Sequence, residues 1–268
     1  MIKRMLVPFL ILFLLRSLSL TSLADEGMWL LDSINKLPID SLKALGLKLD
    51  PEDIYNPKGG GIVDAVIQID GGTGSFVSDE GLIITNHHVA FTAVQRQSTP
   101  EHNYLKDGFY ARTKDQELPA IGYDVLVLKS FEEVTRRVLS VVDEKMSDFE
   151  RYEAIENITK KIIRGAEKDK DVKCRLVSMY GGSQYYLFTY FKIRDVRLAY
   201  VPPSSIGDYG GEIDNWMWPR HAGDFAFLRA YVAPDGKSAD YSKENIPYNS
   251  EVYLKLSSSG IKEGDFVM

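Results

Sequence analysis

Residues 72–89, GTGSFVSDEGLIITNHHV, place two short apolar runs on either side of an Asp-Glu-Gly turn and then run into two adjacent histidines. SFVS and LIIT read as the strands of a β-hairpin, with Gly81 supplying the permissive backbone at the turn. The chain has four histidines, His87, His88, His102 and His221. Two of them stand together behind a strand, and a third lies in the unusual run NWMWPRHAGDF, residues 215–225. An imidazole titrates near neutral pH, so one held at the end of a rigid element is suited to moving protons.

Working outward, the rest of the chain reads as mainly β with short helices. IVDAVIQID (62–70) alternates apolar and polar residues, GGTG (71–74) makes a turn, and YDVLVLKSF (123–131) is another strand. Further strands are expected at KCRLVSMY (173–180), YYLFTYFKIRDVRLAYV (185–201) and FAFLRAYV (225–232). Trp29, Leu30, Ile34 and Leu37 fall at helical spacing until Pro38 breaks the pattern, and a second short helix follows. NPKGGG (56–61) is a loop. The spacing predicts a helix within 147–168, with Phe149, Tyr152, Ile155, Ile158, Ile162 and Ile163 on one face and Ser147/Glu150 as a capping box. Residues 202–224 form a long connection without periodicity, whose Trp216, Met217 and Trp218 argue against disorder. EGDFVM (263–268) reads as the start of a strand.

Residues 1–24 read as a secretory signal: Lys3 and Arg4, then the apolar run MLVPFLILFLL, then small residues ending at Ala24, with cleavage before Asp25. Arg16 interrupts the run too early for a membrane span, and no later segment is apolar enough to be one. The expected location is periplasmic or otherwise exported. Removing 1–24 takes away Lys3, Arg4 and Arg16 and no acid, leaving 29 basic against 38 acidic residues, a net charge of −9. A net acidic chain without a basic run is a poor nucleic-acid ligand. Cys174 is the sole cysteine, so no internal disulfide and no cysteine-based metal cluster can form. No His-x-x-x-His spacing supports a zinc site, and nothing suggests a cofactor.

The unit GTGSFVSDEGLIITNHHV is similar to the first barrel of trypsin-like serine proteases, which carry their general base just after such a strand. Thr85, Asn86, His88 and Val89 match the wording Thr-Asn-x-His-Val used by the periplasmic stress proteases of that clan. The same clan begins a later strand with Asp-apolar-Ala-x-Leu, and here Asp224-Phe225-Ala226-Phe227-Leu228 has that form. The expected fold is therefore a chymotrypsin-type β-barrel, the first of two, with His88 as general base and Asp224 as its orienting carboxylate. The clan's serine sits in Gly-x-Ser-Gly. GGSQ (181–184) lacks the last glycine and SSSG (257–260) the first, so no serine stands in nucleophile context. The chain is expected to end before the second barrel and, as it stands, to be inactive.

The likeness becomes specific along ADEGMWL, YNP, DEGLIITNHH, STPEHNYLKDGFYA, ELP, YGG and PPSSIGDYGGEIDNWMWPRHAGDF. These runs span nearly all of residues 25–268, and the chain resembles the amino-terminal part of the bacterial serine dipeptidyl-peptidase family that includes dipeptidyl-peptidases 7 and 11. The resemblance implies release of dipeptides from peptide amino termini, a longer protein with a helical domain between two barrels, and possible homodimers. It implies catalytic roles for His88 and Asp224. It also implies that Asn215 and Trp216 hold the substrate's free amino terminus. Their chemistry agrees in kind, since an asparagine carbonyl accepts from an ammonium and an indole face attracts a cation. Residues 25–268 would then be the first part of the catalytic domain, with a helical insert near 147–168. His87, His102, Arg220 and His221 read as structural. Many family members have a cysteine after the catalytic histidine and another in the preceding glycine turn; here those sites read Val89 and GGTG. Two alternatives fit the same residues: part of a trypsin-like endopeptidase, or a truncated binding module without catalysis.

Overall fold

The computed structural model describes residues 30–211 and 219–267. The chain divides into two units, residues 1–38 and 39–268. The described residues of the first form a 3-10 helix, Leu31–Lys36. The second opens with the helix Ile39–Leu45 immediately after Pro38, so the proline does separate two helical segments.

Eleven strands follow among the described residues: β1 (Val66–Ile69), β2 (Gly72–Phe76), β3 (Leu82–Thr85), β4 (Phe109–Tyr110), β5 (Leu118–Pro119), β6 (Val125–Glu133), β7 (Val172–Met179), β8 (Gln184–Ile193), β9 (Asp195–Val201), β10 (Ala226–Val232) and β11 (Ile246–Pro247). All their pairings are antiparallel. Only Arg194 separates β8 from β9, so the two make one bent strand. Its first half pairs β6 and its second half pairs β10. The ladders β1–β2–β3–β10–β9 and β8–β6–β1 then meet, and the sheet closes into a six-stranded barrel.

Alternation fills the barrel. Ile67, Ile69, Phe76, Ile83, Val125, Val127, Ile193, Leu198, Ala226 and Leu228 are buried in a single cluster. Period-2 strands aim every second side chain inward. The bend between β8 and β9 is pinned by charge. Arg194 reaches Asp171 through Nη1 and Asp240 through Nε, each at 2.8 Å, and Nη2 donates to the Ser238 carbonyl at 2.9 Å. Arg197 is buried, pairs Asp195 at 2.6 Å, donates to the Ser242 carbonyl at 2.7 Å, and lies 3.8 Å from the centroid of the Tyr231 ring. These arginines tie residues 238–242 across the barrel wall.

Beyond the barrel, β6, β8 and β7 extend as a wing. The helix Asp148–Ala166 covers it, burying Ile162 against Val138, Cys174, Tyr185 and Leu187. Ser147 and Glu150 form the expected capping box. Phe149 and Tyr152 are exposed, so the apolar face is covered only from Ile155 onward.

Four local expectations change. Residues 62–65 form a 3-10 turn and β1 begins at Val66. The β1–β2 turn is Asp70–Gly71, with φ of 41° and 79°, while GTG of the expected turn lies inside β2. The 202–224 connection contains a short helix, Ser204–Gly207. Residues 263–267 form no strand.

Arg197→Met leaves Asp195, only 1% exposed, without its cation. Breaking a buried pair on one side costs about 3–5 kcal/mol. Urea denaturation should show a loss of that size, and a loss below about 1 kcal/mol, the ceiling for most surface pairs, would mean the pair does not hold the barrel wall.

Candidate active site

β3 ends at Thr85, paired with Ala226 at the start of β10. Extended by two residues, that antiparallel register carries Asp224 alongside residues 87 and 88. Asn86 is extended, and a helix, His87–Gln97, begins at once. The two histidines therefore occupy the first turn of a helix, not an extended segment. Their side chains diverge by about 100°, the helical step, instead of alternating across a strand. The two still differ in exposure: His87 is buried at 1% exposure, whereas the His88 side chain is 70% exposed.

The helix is fixed to the barrel along its length. Ala90, Ala93 and Val94 enter the core. Tyr123 Oη donates to the Val89 carbonyl at 2.6 Å and accepts from the Ala93 amide at 3.3 Å. Gln97 donates to the Pro119 carbonyl at 2.6 Å. Val89 lies against Gly72, where any β-carbon would approach Val89 Cγ2 to 2.6 Å.

His88 Nδ1 stands 2.8 Å from Asp224 Oδ2. The His88 backbone N–H donates to Asp224 Oδ1 at 3.1 Å. Asn86 Nδ2 donates to Asp224 Oδ2 and to the Asp224 carbonyl, both at 3.2 Å. Arg220 Nη2 approaches Oδ2 at 3.4 Å. The Asp224 side chain is 8% exposed. Burial pushes its carboxyl up, but the two hydrogen bonds from His88 and the charges of His88 and Arg220 together hold it below the usual 3.8. At neutral pH the carboxylate accepts only. The neutral His88 ring must then carry its proton on Nδ1, leaving Nε2 free as a base in the open.

His87 lies beneath. Its ring meets Gly207 so closely that a β-carbon there would come within 2.3 Å of Cγ. Phe91 packs edge-on to it, with centroids 6.4 Å apart. Its Nε2 is buried without a hydrogen-bond partner. Burial pushes its pKa below 6.5, against the raising pull of Asp224 and Asp208.

Asn215 and Trp216 lie outside the described residues. His102 stacks on Tyr104, and His221 is exposed. Sequence reasoning matched Asn86 only as part of a motif and took Arg220 as structural, yet both touch Asp224. A cavity of about 190 Å³, bordered by Gln68, Asp124, Lys173, Arg175 and Lys192, includes neither His88 nor Asp224. Among the described residues no group of three or more His, Cys, Asp or Glu side chains is placed to hold a metal ion, and no helix is long and apolar enough to cross a membrane.

Beside this histidine–carboxylate contact on a β-barrel rim stands a second finding: residues 24–268 match the profile of the family described as Peptidase S46. The chain belongs to the peptidase S46 family. It is 42% identical over 256 residues to dipeptidyl-peptidase 7 of Porphyromonas endodontalis, covering 95% of this chain and 31% of that protein. It is 40% identical over 274 residues to an Asp/Glu-specific dipeptidyl-peptidase of the same organism, covering 99% and 37%. Its fold is similar to that of P. endodontalis DPP11 crystallised with the dipeptide Arg-Asp, with a TM-score of 0.82, 40% identity, and coverage of 90% of this chain and 35% of that one. The chain thus spans about a third of the length of these S46 relatives. The mainly β, trypsin-like barrel expected from the sequence is the fold found in this S46 chain.

The buried neutral His87 has a pH consequence. Unfolded, its ring takes a proton near 6.5; folded, only at lower pH. Between those values the unfolded state binds more protons, so stability falls as pH falls below about 6.5. His87→Leu removes the titration and the unpaired nitrogen at similar volume. Its melting temperature should drop less than that of the wild type between pH 7.5 and 5.5, and equal drops would show that His87 does not contribute.

Proposed function

We propose that this chain is the histidine- and aspartate-bearing part of an exported serine dipeptidyl-peptidase. The observation that carries the proposal is the 2.8 Å contact of His88 Nδ1 with a carboxylate that also caps the helix bearing that histidine. His88 Nε2 takes the proton of a serine hydroxyl as the serine oxygen attacks the carbonyl carbon of the substrate's second residue. Asp224 holds the tautomer and stabilises the imidazolium. His88 then gives the proton to the amine of the third residue as the peptide C–N bond breaks. Water, deprotonated by the same ring, releases the dipeptide. Asn215 and Trp216 hold the substrate ammonium and limit cleavage to the second residue. The names of the relatives, and the dipeptide bound to DPP11, support dipeptides as the product class.

The remaining parts of the proposal follow from sequence. Residues 1–24 act as a signal cleaved before Asp25, and the protein works in the periplasm. Residues 25–268 belong to the catalytic domain, and the family resemblance implies a possible homodimer for the full-length enzyme. The 268 residues contain no Gly-x-Ser-Gly, and covalent catalysis needs that nucleophile. The isolated polypeptide should therefore release no dipeptide. Serine-dependent release by the purified 268-residue chain would overturn that point.

Expressed with the coding sequence that follows Met268 in frame, the protein should release dipeptides from peptides with a free α-amino group and spare acetylated ones. His88→Ala should lower kcat by about 10⁴–10⁶, and Asp224→Asn by about 10⁴. Activity of either variant within tenfold of the wild type would remove the assignment.

A further inference from the structure

Asn86 occupies a helix N-cap, where an asparagine side chain ordinarily accepts a hydrogen bond from an amide two or three residues on. Here it makes no such bond. The amide it would serve, that of His88, is taken by Asp224 Oδ1 at 3.1 Å, from the segment leading into β10, 136 residues further along the chain. The Asn86 amide is turned to Asp224 instead, 3.2 Å from Oδ2 and 3.2 Å from the backbone carbonyl of the same residue.

We propose that Asn86 is a positioning residue for the orienting carboxylate: its amide bridges the side chain and the main chain of Asp224 and fixes the rotation of the carboxylate. The inference rests on the His88–Asp224 assignment above. Rotation about a terminal sp³–sp² bond is soft, so an aspartate carboxylate does not fix its own plane. Asp224 needs that plane fixed, because its two oxygens serve different donors, Oδ1 the helix amide and Oδ2 the His88 ring. A small rotation would loosen both. An amide reaching Oδ2 and the carbonyl of one residue ties the freely turning group to the backbone that carries it. Arg220 cannot replace it, since it contacts Oδ2 alone, at 3.4 Å, from a half-exposed side chain.

Asn86→Asp separates positioning from capping. Aspartate is as good an N-cap as asparagine, yet it donates nothing and sets a second carboxylate against Asp224. The readout is the His88 ring in the ¹⁵N-labelled 268-residue chain. The neutral ring of the wild type should show a far-downfield proton on Nδ1 and an unprotonated Nε2. Asn86→Asp and Asn86→Ala should both show a mixture of ring tautomers. Their Nδ1 proton should exchange with water about tenfold faster or more, as expected when a hydrogen bond to a charged group is lost. Asn86→Ala gives up no cap bond, so its far-ultraviolet circular dichroism should match the wild type. Retention of the wild-type tautomer and exchange rate in Asn86→Asp would overturn the proposal and leave Asn86 with at most a capping part. The measurement needs no turnover. A wild-type ring without the Nδ1–H tautomer would instead count against the His88–Asp224 assignment, so the two failures are distinguishable.

Discussion

The pairing of β3 with β10 in a single register is the constraint on which the site depends. Ala226 opposite Thr85 and Leu228 opposite Ile83 place the start of β10 beside the end of β3. A one-residue slip would turn every inward side chain outward. The slip is resisted at both ends. Phe76, Ile83, Ala226 and Leu228 fill the interior, where none could be exchanged for its neighbours. At the far end the β2–β3 turn needs Gly81, at φ 65°, because a β-carbon there would meet the Ala230 carbonyl at 2.8 Å and the Tyr248 carbonyl at 2.9 Å. Arg229, opposite Leu82, is clamped by Glu117 at 2.9 Å and by the Glu80 carbonyl at 2.8 Å. Residues more than 15 Å along the strands, at about 3.4 Å per residue, thus help set the distance from Asp224 to His88.

That register makes one carboxylate serve two ends. Asp224 closes the open amide at the start of the His88 helix and holds the His88 ring, so fixing the helix and fixing the imidazole are one event. A nearly buried charge is costly unless donors surround it. Here the donors are the His88 amide, the His88 ring, Asn86 and, more distantly, Arg220. A helix N-terminus also favours a negative charge. Ionisation, local order and the tautomer of His88 consequently share one set of contacts.

Much of this was legible in the sequence, and the losses have physical causes. The strands were readable because a barrel wall needs alternating apolar residues, and the capping box of the Asp148–Ala166 helix has its own spelling. The helix after His87 was not, because its inner face is built from Ala90, Ala93 and Val94, too small to mark a period against Phe91, which remains exposed. The opposite surroundings of His87 and His88 come from that same helical turn, on which successive side chains diverge by about 100°. The Asp70–Gly71 turn carried an Asp-Gly signal of the primed hairpin type, and the glycine-rich run after it drew attention away. The part Asn86 plays could not be seen at all, since its partner lies 138 residues away and its cap position suggests a different duty.

The Val89–Gly72 contact shows how the helix start is held without a cross-link. The resemblance implies paired cysteines in many members, one after the histidine and one in the glycine turn. In this chain Val89 and Gly72 touch at that place, with no space for a β-carbon between them. Packing holds the two segments together there, and it depends on complementary size: Val89 fits only because residue 72 has no side chain. Interiors packed this tightly transmit displacement instead of absorbing it. Any larger residue at 72 would push on Val89, whose carbonyl is held at 2.6 Å by Tyr123 and whose neighbour is His88. The bare glycine at 72 therefore bears, through Val89, on the placement of the neighbouring His88.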